Sequence, residues 1–258
     1  MQGDDGAATG REQGAESTHQ QGVDMVDDQD LAGLDPYELM ATEAARLDGF
    51  FSSASDADWG KPTRCEGWSV RDLLAHLAAS EDYNRACLEG TVQQFLADIG
   101  AKGAVDLASA NDIGIHQFDG KTPEQILETW RTHSGQNREG FRARDGGDVD
   151  SSVGPYPARW QAFHLAFELA THADDVGVPV SDGEAQGRLD WQARFGRFAI
   201  KELKPDLAID ASNGRTHVEG EGIDLDLADE QFVDAVAARL PAESGIDAET
   251  ALLLSATP

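Results

Sequence analysis

The sequence predicts a mainly α fold, a four-helix bundle followed by a small α+β unit. Two observations carry that reading. Four segments between residues 31 and 180 repeat apolar residues at helical spacing, and each such face needs partners to bury it. Past residue 188 the pattern turns to short alternating runs on either side of Asn213-Gly214, a dipeptide suited to a two-residue hairpin turn. The expected division is a disordered acidic tail over 1–30, a helical bundle over 31–180 and a small α+β unit over 188–258.

Taken in order, the first helix opens at Asp35-Pro36, with proline in its first turn and Leu39, Met40, Ala44, Leu47, Phe50 and Phe51 as its apolar stripe. A loop over Ser52–Gly67 holds Trp59 and Pro62. The second helix begins at Ser69, where Asp72 three residues on completes an acidic variant of the capping box. Its stripe is Val70, Leu73, Leu74 and Leu77. His76 lies just off the edge of that stripe, in line with Ser80, Tyr83 and Cys87, and reads as an edge residue or a ligand. Residues 89–120 contain five glycines and are expected to be a poorly regular connection with one short helix near Val92 to Asp98. Thr122-Pro123-Glu124-Gln125 starts a third long helix, with Ile126, Leu127, Trp130 and Phe141 on its buried side. A Gly/Asp/Pro loop over 145–157 leads to the fourth, Pro157 to about Val176, which Gly177 and Pro179 end.

Beyond a polar link at 181–187, residues 189–203 are expected to be helical. Leu207–Ala211 and Thr216–Glu219 read as paired strands, Asp229–Leu240 as a further helix, and a tail ends in Leu252-Leu253-Leu254.

The fourth helix carries the most chemistry. At 100° per residue His164, Glu168 and His172 fall within about 80° of arc. Trp160, Phe163, Phe167 and Ala170 flank that arc on one side, Leu165, Leu169 and Ala173 on the other. A helix apolar on both flanks is largely buried, and two imidazoles and a carboxylate buried without partners would cost several kcal/mol. A divalent metal would satisfy them, since zinc accepts His and carboxylate. The other reading is a narrow solvent-facing strip shared with Gln161, Thr171 and Asp175.

Composition sets the limits. With 48 acidic and 20 basic residues the net charge is −28, which argues against nucleic acid or an anionic membrane as a partner. Nine of the acids, against Arg11 alone, lie in the first 35 residues. The rest of the chain is still strongly acidic, as in a high-salt cytoplasm or simply an acidic surface. No apolar run approaches the roughly 20 residues of a membrane span. Met1–Asp30 lacks the charged-then-apolar pattern of a secretory leader. Two cysteines, Cys65 and Cys87, make no disulfide framework and fit a reducing compartment. A soluble cytoplasmic protein is expected. His116, His133 and His217 have no evident partners.

The stretch Trp59-Gly-Lys-Pro-Thr-Arg-Cys-Glu-Gly-Trp-Ser-Val-Arg-Asp-Leu-Leu-Ala-His76 resembles the opening motif of the mycothiol-dependent maleylpyruvate isomerase family, actinobacterial members of the DinB-like metal-binding bundles. Glu168-Leu-Ala-Thr-His172-Ala-Asp-Asp175 is similar to that family's fourth-helix motif. The resemblance implies a zinc site made of His76, Glu168 and His172, with a coordination position left open for the thiol of mycothiol. It further implies isomerisation of a conjugated substrate such as maleylpyruvate, or thiol transfer to another small electrophile. The chain's own cysteines would then not be needed as nucleophiles. An arginine from the C-terminal unit would hold the substrate's acyl oxygens. Arg239 is the best match, although the family usually has Gly-Arg where this chain has Ala238-Arg239. His164 lies outside that triad and reads as an outer donor, a substitute ligand or a polar residue beside a cavity. The alternative function is a non-catalytic, metal-stabilised bundle that binds a small molecule or a protein.

Charge repulsion of this size yields a direct expectation. If the acidity suits a saline cytoplasm, the melting temperature rises from low to molar potassium chloride as repulsion is screened. A flat response in a thermal-denaturation series would discard the saline interpretation. Removal of residues 1–30 is expected to leave stability nearly unchanged.

Overall fold

The computed structural model describes residues 27–256. Its long helices are α1 (Pro36–Ser53), α2 (Val70–Glu89), α5 (Pro123–Arg142), α6 (Ala158–Asp175) and α7 (Asp182–Leu203); α3 (Val92–Ala101) and α4 (Leu107–His116) bridge α2 and α5. Two-residue strands β1 (Asp148–Val149) and β2 (Tyr156–Pro157) pair ahead of α6. The C-terminal unit holds β3 (Ala208–Ser212), β4 (Arg215–Gly220), β5 (Ile223–Ala228), α8 (Asp229–Val236) and α9 (Ala248–Leu254).

Helices α1, α2, α5 and α6 form the bundle. α1 packs along α6 and α5, and α5 along α2. Met40, Leu47, Phe51, Leu73, Leu74, Ile126, Trp130, Phe141 and Phe163 fill its centre with almost no exposure. Helix starts are set locally. Asp35 accepts from the Tyr37 and Glu38 amides. Ser69 and Asp72 cap α2 reciprocally, as do Thr122 and Gln125 for α5. Each cap satisfies amides that the helix itself cannot.

The connection over 89–120 is more regular than its glycines suggested. It holds two helices, the second capped by an Asp106–Ser109 box. Gly114 is a contact rather than a breaker: a Cβ there would lie 2.9 Å from the Ala79 Cβ, so its absence lets α4 press onto α2. The polar link expected at 181–187 is the first turns of α7, with Asp182 and Glu184 well placed against the helix dipole. Polar residues there mask the helix because those turns are largely exposed.

β3, β4 and β5 form an antiparallel meander, with Ile209 opposite Val218 and Val218 opposite Leu225. The hairpin turn at Asn213-Gly214 has both residues at positive φ, 52° and 74°, as its type requires. β5 follows a second such turn at Glu221-Gly222 and was not foreseen from the sequence. α7 and α8 cover the sheet, and the expected tail around Leu252 contains α9.

The tail expected over 1–30 lies outside the described residues as far as 26. Its last residues are docked: Gln29–Leu31 form a 3-10 turn against α7. Asp30 accepts from Arg197 Nε and Lys201 Nζ, each at 2.9 Å, and the Arg194 side chain donates to the Asp30 and Ala32 carbonyls. Burial opposes the charge on Asp30, but Lys201 and Arg197 outweigh it and hold the carboxyl below its ordinary value. Deletion of residues 1–30 would remove the Asp30 anchor, which revises the expectation that stability stays nearly unchanged.

A carboxyl held low stabilises above the ordinary carboxylate range and loses that contribution as pH falls through its folded value. Asp30→Asn should therefore lower the melting temperature at pH 7 by about 2–8 °C, from roughly 1–2 kcal/mol of charged hydrogen bonding. The difference from the parent should shrink below about pH 4 in a calorimetric pH series.

Candidate functional site

The site forms where α2 faces α6 beneath the loop over 54–69. That loop is a tight return: Pro62 bridges Ser69, the Thr63 amide donates to the Trp68 carbonyl, and Gly67 takes φ 81° at the turn. Trp59 stacks on Phe51 of the core with ring centroids 6.0 Å apart. The return carries Cys65 to the C-terminal end of α6, where the Arg64 amide donates to the Asp175 carbonyl.

His76, Glu168 and His172 each bring one donor atom to a common place, all within 4.8 Å of one another. His76 Nε2 lies 3.5 Å from Glu168 Oε1, and the two imidazole rings meet edge to face at 5.0 Å. Both histidines are buried, while the Glu168 side chain keeps 36% of its exposure. The solvent-facing strip is thus not what α6 presents here. Trp68 lies against the His76 ring at 4.8 Å.

Behind His172 stands a residue to which the sequence reading gave no role. Asp175, with a side chain 0% exposed, accepts from His172 Nδ1 at 3.0 Å. It also accepts from Arg239 twice, from Nε at 2.8 Å and Nη2 at 3.0 Å, and from the Cys65 thiol at 3.1 Å. With Nδ1 committed to Asp175, Nε2 is the nitrogen His172 can offer to a metal. The i, i+3 spacing of His172 and Asp175 was the available signal.

Arg239 reaches this place from beyond α8. Its Nη1 donates to the Ala237 and Ala238 carbonyls and its Nη2 also to Cys65 Sγ, so every one of its nitrogens is engaged within the protein. Arg64 fixes the segment by donating to Asp234 and to the Arg239 carbonyl. Ala238 has φ 56°, the left-handed conformation that glycine adopts freely.

The charges are mutually adjusted. Burial alone would raise Asp175, but hydrogen bonds from His172 and Arg239 outweigh it and hold the carboxyl well below the ordinary range. Burial opposes charge on His172 as well, yet Asp175, Cys65 and Glu168 overcome it and push the imidazole up to about 9. His76 moves the other way, lowered first by burial and then by His172, with Glu168 only partly offsetting. Burial opposes the Glu168 charge too, and His76 and His172 more than compensate. Without an ion, Glu168 and Asp175 favour a proton on His172, which a divalent ion would displace on binding, while burial keeps charge off His76. A divalent ion fits that donor set.

His164 is not part of this group. Its Nε2 lies 3.1 Å from the Tyr156 hydroxyl and 3.2 Å from Glu202 Oε2, and its ring packs on Phe195, so it clasps α6 to α7. His116 and His217 meet Asp112 and Asp224, while buried His133 Nδ1 has no hydrogen-bond partner among the described residues.

A family model described as the Mycothiol maleylpyruvate isomerase N-terminal domain matches residues 40–177, the segment that runs from the second turn of α1 past the end of α6 and holds all three converging side chains. The chain belongs to this family. Two crystal structures of the mycothiol-dependent maleylpyruvate isomerase, one of them of a mutant, are similar at 16% and 17% identity. Each covers 69% of this chain and 72% of its own, with a TM-score of 0.49. No curated protein matches the chain.

The left-handed Ala238 gives a prediction. A non-glycine residue in this conformation costs about 1–2 kcal/mol, of which glycine's extra freedom in the unfolded chain returns about half. Ala238→Gly should stabilise by up to about 1 kcal/mol in urea denaturation. A clear loss of stability would show that the turn is not strained.

Proposed function

We propose that the protein is a zinc-dependent enzyme that uses mycothiol to isomerise, or to transfer a thiol to, a small electrophile such as maleylpyruvate. One observation carries the reading: His76 on α2 and the Glu168–His172 pair on α6 converge inside the domain that the family model matches. Mycothiol use and isomerase-type chemistry follow from the family; zinc and the substrate are our assignment. Two imidazoles and one carboxylate are the ligand set of a zinc site with a position left open. When bound, such an ion would supply a Lewis acid that favours the deprotonated form of a thiol.

The remaining work falls to the chain. Burial keeps His76 unprotonated and able to offer a lone pair. Asp175 holds the His172 proton on Nδ1 and fixes the ring, as a carboxylate behind a ligating histidine does. Arg239 and Cys65 hold Asp175 in turn. Trp68 covers one side of His76. We assign the nucleophile to neither cysteine: Cys87 is buried, with its thiol pushed up to about 11 first by burial, and Cys65 is held between Asp175 and Arg239. The attacking thiol then arrives with the cofactor, and the partners are a small-molecule thiol and an electrophile. No described helix is long and apolar enough to cross a membrane. The engagement of every Arg239 nitrogen favours a second reading, a metal-stabilised bundle that binds without turnover.

His172→Ala should abolish both zinc retention on dialysis and thiol-dependent turnover. Asp175→Asn should weaken zinc by about 10–100-fold in a chelator competition. Cys65→Ser should retain turnover within about tenfold, since a hydroxyl can still donate to Asp175 and accept from Arg239. If Cys65→Ser is as inactive as His172→Ala, the nucleophile belongs to the protein and the cofactor reading fails. Zinc and mycothiol binding with no reaction toward conjugated cis-diacids or alkylating electrophiles would select the second reading.

A further inference from the structure

We propose that Cys65, His172 Nδ1 and Asp175 form a second metal seat, for thiophilic ions, which shares His172 with the first seat and cannot be filled together with it. The inference goes beyond the proposed function, and its exclusion of the first seat rests on zinc being held there by His172 Nε2. The two seats lie on opposite edges of one imidazole. With Nδ1 turned to Asp175, Nε2 is left for the group with His76 and Glu168.

The geometry is close to what an ion needs. Asp175 Oδ2 lies 3.0 Å from His172 Nδ1 and 3.1 Å from Cys65 Sγ, and Sγ stands 4.0 Å from Nδ1. A tetrahedral ion bound at about 2.0–2.3 Å to oxygen, nitrogen and sulfur asks for edges of roughly 3.3–3.6 Å. Shifts of about half an ångström would therefore close the three atoms on an ion. His172 and Asp175 are buried and Cys65 is half-buried, so the set is formed by the fold rather than by loose surface chains. A thiolate in the set selects soft ions over hard ones.

A cation already stands at this place. Arg239 Nη2 donates to Asp175 Oδ2 at 3.0 Å and to Cys65 Sγ at 3.1 Å, serving two of the three atoms that an ion would take. The guanidinium is thus an internal competitor, and metal enters only as it withdraws. The Arg239 side chain keeps 21% of its exposure, which leaves it a path to water.

Exclusion follows from the ring. A neutral imidazole has one lone pair, so a metal on Nδ1 puts the proton on Nε2 and takes His172 away from His76 and Glu168. Starting from the zinc-loaded protein, the Cys65 thiol loses its proton to solvent and the Nδ1 proton is replaced by one on Nε2. One zinc ion and one proton then leave for each soft ion bound.

The test adds cadmium to the full-length, zinc-loaded protein. It reads the ultraviolet thiolate-to-cadmium charge-transfer band, and the zinc content after gel filtration. In the parent the band should grow as zinc is lost, one for one. Cys65→Ser should show no band, which also excludes Cys87 as its source. Arg239→Met, rid of the competing cation, should give the band at about 10–100-fold lower cadmium. Arg239→Lys should shift it less, and decides this arm if the methionine variant does not fold. A parent without the band, a band that survives Cys65→Ser, a band formed with zinc fully retained, or weaker cadmium binding in the folded Arg239 variants would each overturn the assignment. Failure of the enzymatic reading shows separately, because no arm uses a thiol or a substrate.

Discussion

The structure depends on the buried carboxylate of Asp175. It sits at the last turn of α6 and accepts from the bundle through His172, from the loop before α2 through Cys65, and from the C-terminal unit through Arg239. A carboxylate in that setting is costly unless its oxygens are filled, and here both are. The three donors belong to segments far apart in sequence. Satisfying one buried charge therefore fixes the orientation of a prospective metal ligand, the path of a loop and the approach of a second folding unit.

Much of the bundle was legible because its determinants are local. Caps at Asp35, Ser69 and Thr122 and the apolar stripes of α1, α2, α5 and α6 act within a few residues of themselves. The group of His76, Glu168 and His172 was legible in part. Helical spacing places Glu168 and His172 on one face, but only the resemblance joined them to His76, which lies nearly a hundred residues earlier. What failed was tertiary. Gly114 looks like a break until Ala79 is found against it, and the first turns of α7 look like a linker because their polar residues face water. His164 shares the arc of Glu168, yet Glu202 and Tyr156, which engage it, come from α7 and β2. Asp30 read as part of a tail, and its partners Arg197 and Lys201 lie over 160 positions away.

The distribution of arginines separates two uses of one side chain. Arg188 is buried, reaching Glu43, Asp174 and the Ala170 carbonyl, and joins α1, α6 and α7. Arg239 does the same for the end of α6 and the C-terminal unit. Both have every guanidinium nitrogen engaged, which suits a structural tie, because a fork so held has little to gain from a ligand. Among the described residues Arg138 is held by Ser134 alone. In an acidic chain such a residue is conspicuous, since carboxylates to pair with are abundant.

The loop–helix–arginine contact at Asp175 also bears on how far this protein is modular. Residues 40–177 match a family model as a unit, yet a bundle severed just past that point would keep Asp175 and lose Arg239, two of the hydrogen bonds that make its charge tolerable. Arg64 would lose Asp234 and the Arg239 carbonyl at the same stroke. The two halves are joined through a charge that neither satisfies alone, so they are bound to unfold as one cooperative system. Recombining this bundle with a different C-terminal unit would then require the newcomer to deliver a guanidinium to the same spot.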